Sequence, residues 1–386
     1  MNRNSLPVYI AAKMIRLALL PVAKLKFGKK HVWLVSERGT DARDNGYHMF
    51  RYLREKHPEI SAWYIISPDS KDLDKIADLG NIVFKGTLKH WMLYISAEKN
   101  LVAFEPIVPS ANKRFAADVI RKTGQKVIFL QHGVIGNDIE CYHREEAHFD
   151  LFICGAKPEF DFVSSRYNYT NGELRYTGIA RFDALYGLET KRQILIMPSW
   201  RRWVYDMSEE EAAESEYIKS WNSLINNPKL AEIAERYDAK VIFYPHQLMQ
   251  KFIGLFSTGN DRIKIADFRH YDVQPLLQES ALLITDFSSV YFDFAYMEKP
   301  LIYYQFDEER VLNEHTSRGY FDYDKMGFGP KVNTEEEVLK YIEDYASNDF
   351  KLDDEYKKRG EGFFPLHDAN NCERIYREIV DTFDKV

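Results

Sequence analysis

The stretch ALLITDFSSVYFDFAYMEKPLIYY, residues 281–304, contains two short apolar runs separated by a polar turn and a helix-like segment. Each apolar run is continuous rather than alternating, which is typical of strands covered on both faces of a parallel sheet. The stretch therefore predicts a strand, a turn, a helix and a second parallel strand. Small polar side chains fill the turn, and their role is the main question that the sequence raises.

The same alternation of apolar runs and helix-like segments occurs along most of the chain. A first series comprises VWLVS (32–36), WYIIS (63–67), NIVF (81–84), LVAF (101–104), VIFLQHG (127–133) and LFICG (151–155). A second series comprises ILIMPSW (194–200), VIFYPH (241–246), IKIAD (263–267), ALLITD (281–286) and PLIYY (300–304). Since 386 residues suit two domains, the two series predict two doubly wound parallel α/β domains.

Cysteine usage and motif spacing argue against a metal site and a nucleotide-phosphate loop. The three cysteines are widely spaced, which favours a reducing compartment and argues against a disulfide framework and a structural zinc site: Cys141, Cys154 and Cys372. HREEAH, residues 143–148, places its two histidines five apart and does not match HExxH. Neither GxGxxG nor GxxxxGK[ST] occurs. We therefore expect no bound metal and no cofactor.

The amino terminus differs in charge from the rest of the chain. Residues 1–30 contain seven basic residues and no acidic residue, although the whole chain has a net charge of −7. The apolar run between Pro7 and Pro21 has 13 residues, which is short of the roughly 20 needed to span a bilayer. An amphipathic helix on an anionic membrane surface is the favoured interpretation, and an ordinary packed first helix is the alternative. The basic residues expected at that surface are Lys13, Arg16, Lys24 and Lys26.

Polar side chains follow four of the predicted strands, at the point where each strand ends. Ligands of open α/β sheets bind outside these carboxyl ends. The candidates are Gln131, His132 and Gly133, then Ser199 to Arg202, then His246, and finally Thr285, Asp286, Ser288 and Ser289. Their convergence from both series argues more strongly for a site than any single residue does.

The pair Ser288 and Ser289 has two interpretations. Serine caps helix N-termini, and this accounts for one of the two residues. The backbone N–H groups at a helix start, together with two hydroxyls, also form an anion site. We expect a phosphate there.

The histidines and arginines at strand ends also have alternative interpretations. Neutral histidine is the usual general base near pH 7, whereas a histidine after a strand is often only a structural hydrogen-bonding residue. Arginine binds phosphate through a bidentate fork, whereas a surface arginine needs no ligand. His132, His246, Arg201 and Arg181 are the candidates.

Several motifs resemble one known family, the CDP-glycerol glycerophosphotransferases of bacterial teichoic acid and capsule synthesis. They are LVSERGTDARDNGYHMFRYL (34–53), QHG (131–133), TGIARFDAL (177–185), PSWR (198–201), YPH (244–246) and ITDFSSVYFDFAYMEKPLIYYQFD (284–307). The resemblance runs from about residue 32 to the end, and it implies a GT-B fold with two Rossmann-like domains facing an interdomain cleft.

The resemblance also implies a domain plan. Residues 1–30 would associate with the membrane, 31–186 would form the acceptor domain, and 187–365 would form the CDP-donor domain. Residues 366–386 would form a helix that packs back toward the first domain.

The reaction implied by the resemblance is transfer of glycerol phosphate from CDP-glycerol, or ribitol phosphate from CDP-ribitol, with release of CMP. The acceptor would be a lipid-linked saccharide or polyol-phosphate chain at the cytoplasmic face of the membrane. His132 would be the general base and His246 would hold or protonate phosphate. The donor would contact Ser288, Ser289, Thr285, Asp286, Arg201 and Arg181, and Gln131 and Gly133 would lie on the acceptor side.

The chain departs from the family's motifs at one position, and two other functions compete with the one that the resemblance implies. Relatives carry a basic residue before Pro-His-Pro, whereas this chain reads Tyr244-Pro245-His246-Gln247, so the donor could differ. The rivals are a GT-B enzyme that uses a UDP-sugar and a non-catalytic membrane scaffold. Nothing in the sequence indicates nucleic-acid binding, and homo-oligomerisation and the number of units transferred are left open.

Overall fold

A computed structural model describes residues 5–110, 112–315 and 317–384 of the chain. The chain forms two compact units. Unit 1 comprises Met1–Val134, Glu140–Ala184 and Asp368–Val386, and unit 2 comprises Ile135–Ile139 and Leu185–His367. Residues Ile135–Ile139 thus belong to unit 2, so the stretch 31–186 is not one continuous domain as the sequence suggested.

Unit 1 contains a seven-stranded parallel sheet with the order β3-β2-β1-β4-β5-β6-β7. Its strands are β1 Val32–Ser36, β2 Ser61–Ile66, β3 Ile82–Phe84, β4 Lys99–Val102, β5 Lys126–Phe129, β6 Leu151–Cys154 and β7 Leu174–Tyr176. The order reverses at β1, which pairs with both β2 and β4.

Unit 2 contains a six-stranded parallel sheet with the order β10-β9-β8-β11-β12-β13. Its strands are β8 Gln193–Ile196, β9 Lys240–Phe243, β10 Ile263–Ile265, β11 Leu282–Thr285, β12 Leu301–Tyr304 and β13 Lys331–Val332. Here the order reverses at β8, which pairs with β9 and β11.

The predicted fold class, two doubly wound parallel-sheet domains of the GT-B kind, is confirmed. Every residue of β1, β6, β8, β11 and β12 is buried, as their continuous apolarity indicated. All eleven predicted strands are present, but β7 and β13 were missed. These two edge strands have three and two residues, and their partly exposed Arg175 and Lys331 interrupt the apolar signal.

Helices connect the strands and cover the sheets. They are α1 Leu6–Phe27, α2 Asn45–Lys56, α3 Leu73–Ala77, α4 Leu88–Ser96, α5 Lys113–Thr123, α6 Lys157–Arg166, α7 Arg202–Tyr205, α8 Glu209–Glu214, α9 Glu216–Asn226, α10 Pro228–Arg236, α11 Val273–Glu279, α12 Val290–Tyr296, α13 Glu308–Glu314, α14 Tyr323–Met326, α15 Glu335–Ser347, α16 Asp354–Phe363 and α17 Asn371–Phe383. Short 3-10 helices occur at Glu140–Tyr142, Ala180–Ala184 and Gln247–Leu255.

Helix α1 is longer than the sequence suggested, because Pro21 lies inside it rather than ending it. With 22 residues it is long and apolar enough to cross a membrane, a criterion that buried core helices and signal sequences also meet. One face is buried in unit 1 through Tyr9, Ala12, Ala23 and Phe27. The expectation that this segment is too short to span a membrane is therefore wrong. Its length alone does not show whether it contacts a membrane.

Helix α17 is anchored to unit 1 by polar contacts along its whole length. At its start, Asp183 accepts hydrogen bonds from the backbone N–H groups of Asn371 and Cys372, both at 2.8 Å. At its end, the ammonium group of Lys99 is buried against Asp384 at 2.6 Å. Because both ends are held, α17 forms part of the fold of unit 1.

Candidate active site

In unit 1, the chain leaves β5 through a strained turn at Gln131. This residue has a φ of +61°, a conformation that a residue with a side chain adopts only when its surroundings enforce it. Gln131 is fully buried, and its side-chain amide donates to the carbonyl of Ile153. Gln131 was expected to contact the acceptor, but its side chain lies inside the fold of unit 1. Gly133, two residues on, is also buried.

His132 follows this turn and packs among aromatic rings. Its imidazole stacks on Phe104 at a centroid distance of 4.8 Å, and its Nδ1 lies 3.3 Å from the hydroxyl of Tyr142. Burial lowers the pKa of His132 to about 4; Asp44 opposes this shift and Arg181 adds to it. The imidazole is consequently neutral near pH 7, which is the state that a general base requires.

The backbone around His132 is held by the first residue of helix α2 and by a residue of the 3-10 helix Ala180–Ala184. Asn45 donates from its Nδ2 to the carbonyl of Gln131 at 2.8 Å and accepts from the backbone N–H of Arg181 at 2.9 Å. Arg181 donates from Nη1 to the carbonyl of His132 and to Asp44 at 2.7 Å. Arg181 was expected to contact the donor, but it lies in unit 1 with this group directed at the His132 peptide.

In unit 2, the loop after β11 is organised around the buried carboxylate of Asp286. Its Oδ1 accepts from the backbone N–H of Ser199 at 2.8 Å and from that of Phe287 at 2.6 Å. The hydroxyl of Thr285 donates to the carbonyl of Met197 at 2.7 Å. Since β8 and β11 are neighbouring strands, these bonds join the two loops at the point where the strand order reverses.

Arg201 occupies a different position from the phosphate clamp that the sequence suggested. Its side chain is 0% exposed and forms a bidentate pair with Asp307 at 2.7 and 2.8 Å. The remaining donors reach Asp286 at 2.8 Å, the hydroxyl of Ser199 at 2.8 Å and the carbonyl of Trp200 at 3.3 Å. Burial alone would lower the pKa of Arg201, but the two carboxylates raise it, so the residue stays charged. Its N–H groups are thus engaged within the protein.

Ser288 and Ser289 lie at the start of helix α12. Ser289 is exposed and occupies the cap position, yet its side chain accepts no capping hydrogen bond. Among the residues that the structure describes, no acceptor bonds the backbone N–H groups of Ser288 and Ser289, and no partner bonds their hydroxyls. Helix capping therefore does not account for the pair, and four donors are left for water or a ligand.

His246 follows β9, the other neighbour of β8 in this sheet. Its Nδ1 accepts a hydrogen bond from the backbone N–H of Leu248 at 3.2 Å. The neutral ring must therefore carry its proton on Nε2. The imidazole is half-buried, and its plane is inclined by 28° to the ring of Trp200, with centroids 6.5 Å apart.

The structure thus brings Thr285, Asp286 and Arg201 together, whereas His132 and Arg181 belong to the other unit. Sequence reasoning missed Asn45 and Asp307. Two residues separate Asp307 from the end of β12, so the rule applied to the other strand ends could have found it. Asn45 was overlooked because eight residues separate it from the end of β1.

Comparisons with known proteins agree with this fold. Residues 18–381 match the family model described as CDP-Glycerol:Poly(glycerophosphate) glycerophosphotransferase. The structure resembles that of the wall teichoic acid polymerase TagF, with a TM-score of 0.67 and 16% identity over 97% of this chain and 98% of that one. At this identity, the likeness to TagF supports the fold alone.

Two curated relatives come from Bacillus subtilis strain 168. The minor teichoic acid biosynthesis protein GgaB is 33% identical over 368 residues, and a teichoic acid poly(glycerol phosphate) polymerase is 36% identical over 406 residues. The alignments cover 92% and 96% of this chain but only 40% and 51% of the relatives, so the chain spans about half their length. Because the family model covers both units, the chain belongs to the CDP-glycerol:poly(glycerophosphate) glycerophosphotransferase family.

Proposed function

We propose that the chain transfers glycerol phosphate from CDP-glycerol to a hydroxyl group of a lipid-linked acceptor in teichoic acid or capsule synthesis, releasing CMP. The observation that carries this proposal is family membership over residues 18–381, which include every candidate catalytic, donor-binding and acceptor-side residue. The local geometry of each unit gives independent support.

The first support is the protonation state of His132. The acceptor hydroxyl must lose its proton as its oxygen attacks the β-phosphorus of the donor. A neutral imidazole accepts this proton, and burial keeps His132 neutral well below pH 7. The hydrogen bonds from Asn45 and Arg181 to the carbonyls of Gln131 and His132 also suit a base that must meet a hydroxyl at a fixed angle.

The second support is the set of donors in unit 2. The bond that breaks joins the β-phosphorus to the bridging oxygen, so negative charge moves onto the phosphate of departing CMP. Donors at Ser288 and Ser289, and the Nε2–H of His246, would bind the diphosphate and stabilise that charge. The reversal of strand order at β8 and β11 is where open α/β sheets bind ligands.

Thr285, Asp286 and Arg201 then act on the donor indirectly. The charged side chain of Arg201 fixes Asp286, and Asp286 fixes the backbone that leads to Ser288. We propose a positioning role for these three residues. Likewise, Arg181 and Gln131 would position His132 rather than touch donor or acceptor.

Membrane association of helix α1 is the remaining part of the proposal. The face opposite its buried side exposes large apolar residues: Leu6, Ile10, Met14, Leu17, Val22 and Leu25. Lys24 and Lys26 are exposed at its end, whereas Lys13 lies 4.6 Å from the Tyr9 ring and 3.9 Å from Asp118. An anionic membrane surface at the cytoplasmic face would cover the apolar side and attract the lysines.

The proposed binding site for the donor substrate in unit 2 is tested by calorimetric titration with CDP-glycerol, CDP-ribitol and UDP-N-acetylglucosamine. We expect CDP-glycerol to bind, and we expect the double variant Ser288→Ala/Ser289→Ala to weaken its Kd at least about tenfold, because hydrogen bonds to charged groups contribute about 1.5–3 kcal/mol each. Ser223→Ala, an exposed serine on α9, is the control. Binding of CDP-ribitol instead of CDP-glycerol would identify CDP-ribitol as the donor substrate. Binding of the UDP-sugar alone would contradict the proposal that the donor is a CDP-polyol.

The pH dependence of kcat/KM tests the environment of His132. With a pKa of about 4, His132 stays neutral as the pH falls from 7.5 to 5.5, so kcat/KM should fall less than about twofold. An imidazole with the ordinary pKa of about 6.5 would lose about tenfold over this range. A tenfold fall that follows the ordinary histidine pKa would contradict the proposed environment of the base.

Membrane binding is tested by sedimentation with vesicles that contain anionic lipid. Deleting α1 would expose its buried contacts in unit 1, so exposed residues are changed instead. The triple variant Ile10→Asn/Met14→Asn/Leu17→Asn should lose at least about 90% of vesicle binding, since several exposed apolar side chains no longer enter the membrane. Leu188→Asn, which is 47% exposed in unit 2, should bind as wild type does. Undiminished binding by the triple variant would exclude α1 as the membrane contact.

A further inference from the structure

The turn at Gln131 and His132 raises a question about what holds it. A residue with a side chain and a φ near +60° costs about 1–2 kcal/mol relative to an ordinary backbone conformation. Such strain persists only where surrounding contacts enforce it. The direction of the His132 imidazole depends on this turn, because Gln131 is its immediate neighbour.

Asn45 provides the most direct of these contacts. Its side chain is 0% exposed and lies between two peptide groups, donating to Gln131 at 2.8 Å and accepting from Arg181 at 2.9 Å. Asparagine is the only residue of this size that offers both a donor and an acceptor at fixed positions. Aspartate would place a second acceptor against the Gln131 carbonyl, and leucine would offer neither group.

The start of helix α2, which carries Asn45, is itself fixed. The carboxyl group of Glu37 is buried and accepts from the backbone N–H groups of Asp44 at 2.9 Å and Tyr47 at 2.8 Å. Asp44 caps the first turn of α2 by accepting from the N–H of Asn45 at 2.8 Å. The backbone at Asn45 and on either side of it is thus held by hydrogen bonds, which fixes the point from which its side-chain amide reaches the turn.

We propose that Asn45 is a positioning residue that fixes the orientation of His132 for proton transfer. Arg181 acts beside it, because the carbonyl of residue 131 is held by Asn45 and the carbonyl of residue 132 by Arg181. Two consecutive peptide groups before and after the His132 Cα are therefore restrained. This inference rests on the proposed role of His132 as the base.

The experiment compares two substitutions at Asn45 with the same two at Asn100. Asn100 is 2% exposed on β4 of the same unit, and its Nδ2 donates to Gln125 at 3.0 Å, away from His132. We expect Asn45→Asp and Asn45→Leu to lower kcat about 10–100-fold, since a displacement of about 1 Å can cost a hundredfold in rate. The KM for CDP-glycerol should stay within about twofold of wild type, because the groups proposed to bind CDP-glycerol lie in unit 2. Asn100→Asp and Asn100→Leu should leave both constants within about twofold of wild type.

A second readout does not depend on activity. In protein labelled with ¹³C at the histidine Cε1, the resonance of His132, assigned with His132→Asn, should shift in both Asn45 variants and stay in place in both Asn100 variants. Unfolding by denaturant measures the stability lost at each site. If the Asn45 and Asn100 variants lose similar stability and both kcat and the resonance stay unchanged, Asn45 is only structural and the inference is overturned. A change in the aspartate variant alone would also overturn it, because charge and not positioning would be the cause.

The two proposals fail differently. If His132→Asn leaves the transfer rate unchanged, His132 is not the base, whereas the resonance still decides whether Asn45 orients its ring.

Discussion

Burial of polar groups at the carboxyl ends of the parallel strands is offset largely by hydrogen bonds within the protein, and this constraint shapes both units. Among the described residues, the Oε1 atoms of Gln131 and Gln305 are buried there without a partner. The strongest case is the charge of Arg201. A fully buried guanidinium costs several kcal/mol unless it is paired and hydrogen-bonded. Asp286 and Asp307 supply the opposite charge, and Ser199 and Trp200 accept the remaining hydrogen bonds. The loops after β8, β11 and β12 are consequently held in one arrangement.

Unit 1 meets the same constraint largely with neutral groups. The side-chain amide of Asn45 bonds the carbonyl of Gln131 and the N–H of Arg181, and the side-chain amide of Gln131 bonds the carbonyl of Ile153. The charges with the largest effects on the pKa of His132, those of Asp44 and Arg181, are paired at 2.7 Å, and their effects oppose one another. Burial therefore decides the protonation state of the imidazole. An arrangement with one unpaired acid beside the ring would instead favour the charged form.

Most of the fold could be predicted from the sequence, because strands covered on both faces are continuous in apolarity. The edge strands β7 and β13 escaped prediction since they are short and partly exposed. Helix α1 was predicted too short because proline usually ends a helix, whereas here Pro21 lies within it. The role of α17 as part of unit 1 rests on side-chain contacts that no periodicity reveals.

The candidate site was predicted by position better than by role. Strand ends drew attention to Asp286, Arg201 and His132, but residue type did not tell which groups are already bonded. Arg201 has the composition of a phosphate ligand and the environment of a buried ion pair. Ser289 has the composition of a helix cap and forms no capping bond. Only the hydrogen-bond partners separate groups that hold the loop from groups that remain for a ligand.

The most direct test of the account is release of CMP from CDP-glycerol in the presence of a lipid-linked hydroxyl acceptor. The rate of CMP release should depend on the acceptor, and it should fall at least about a hundredfold in His132→Asn, as expected on loss of a general base. The control is His143→Asn, which changes a histidine of unit 1 that packs on Tyr167 and should leave the rate unchanged. Acceptor-dependent release that survives in His132→Asn would contradict the proposed base. Turnover of a UDP-sugar with none of CDP-glycerol would contradict the proposed reaction.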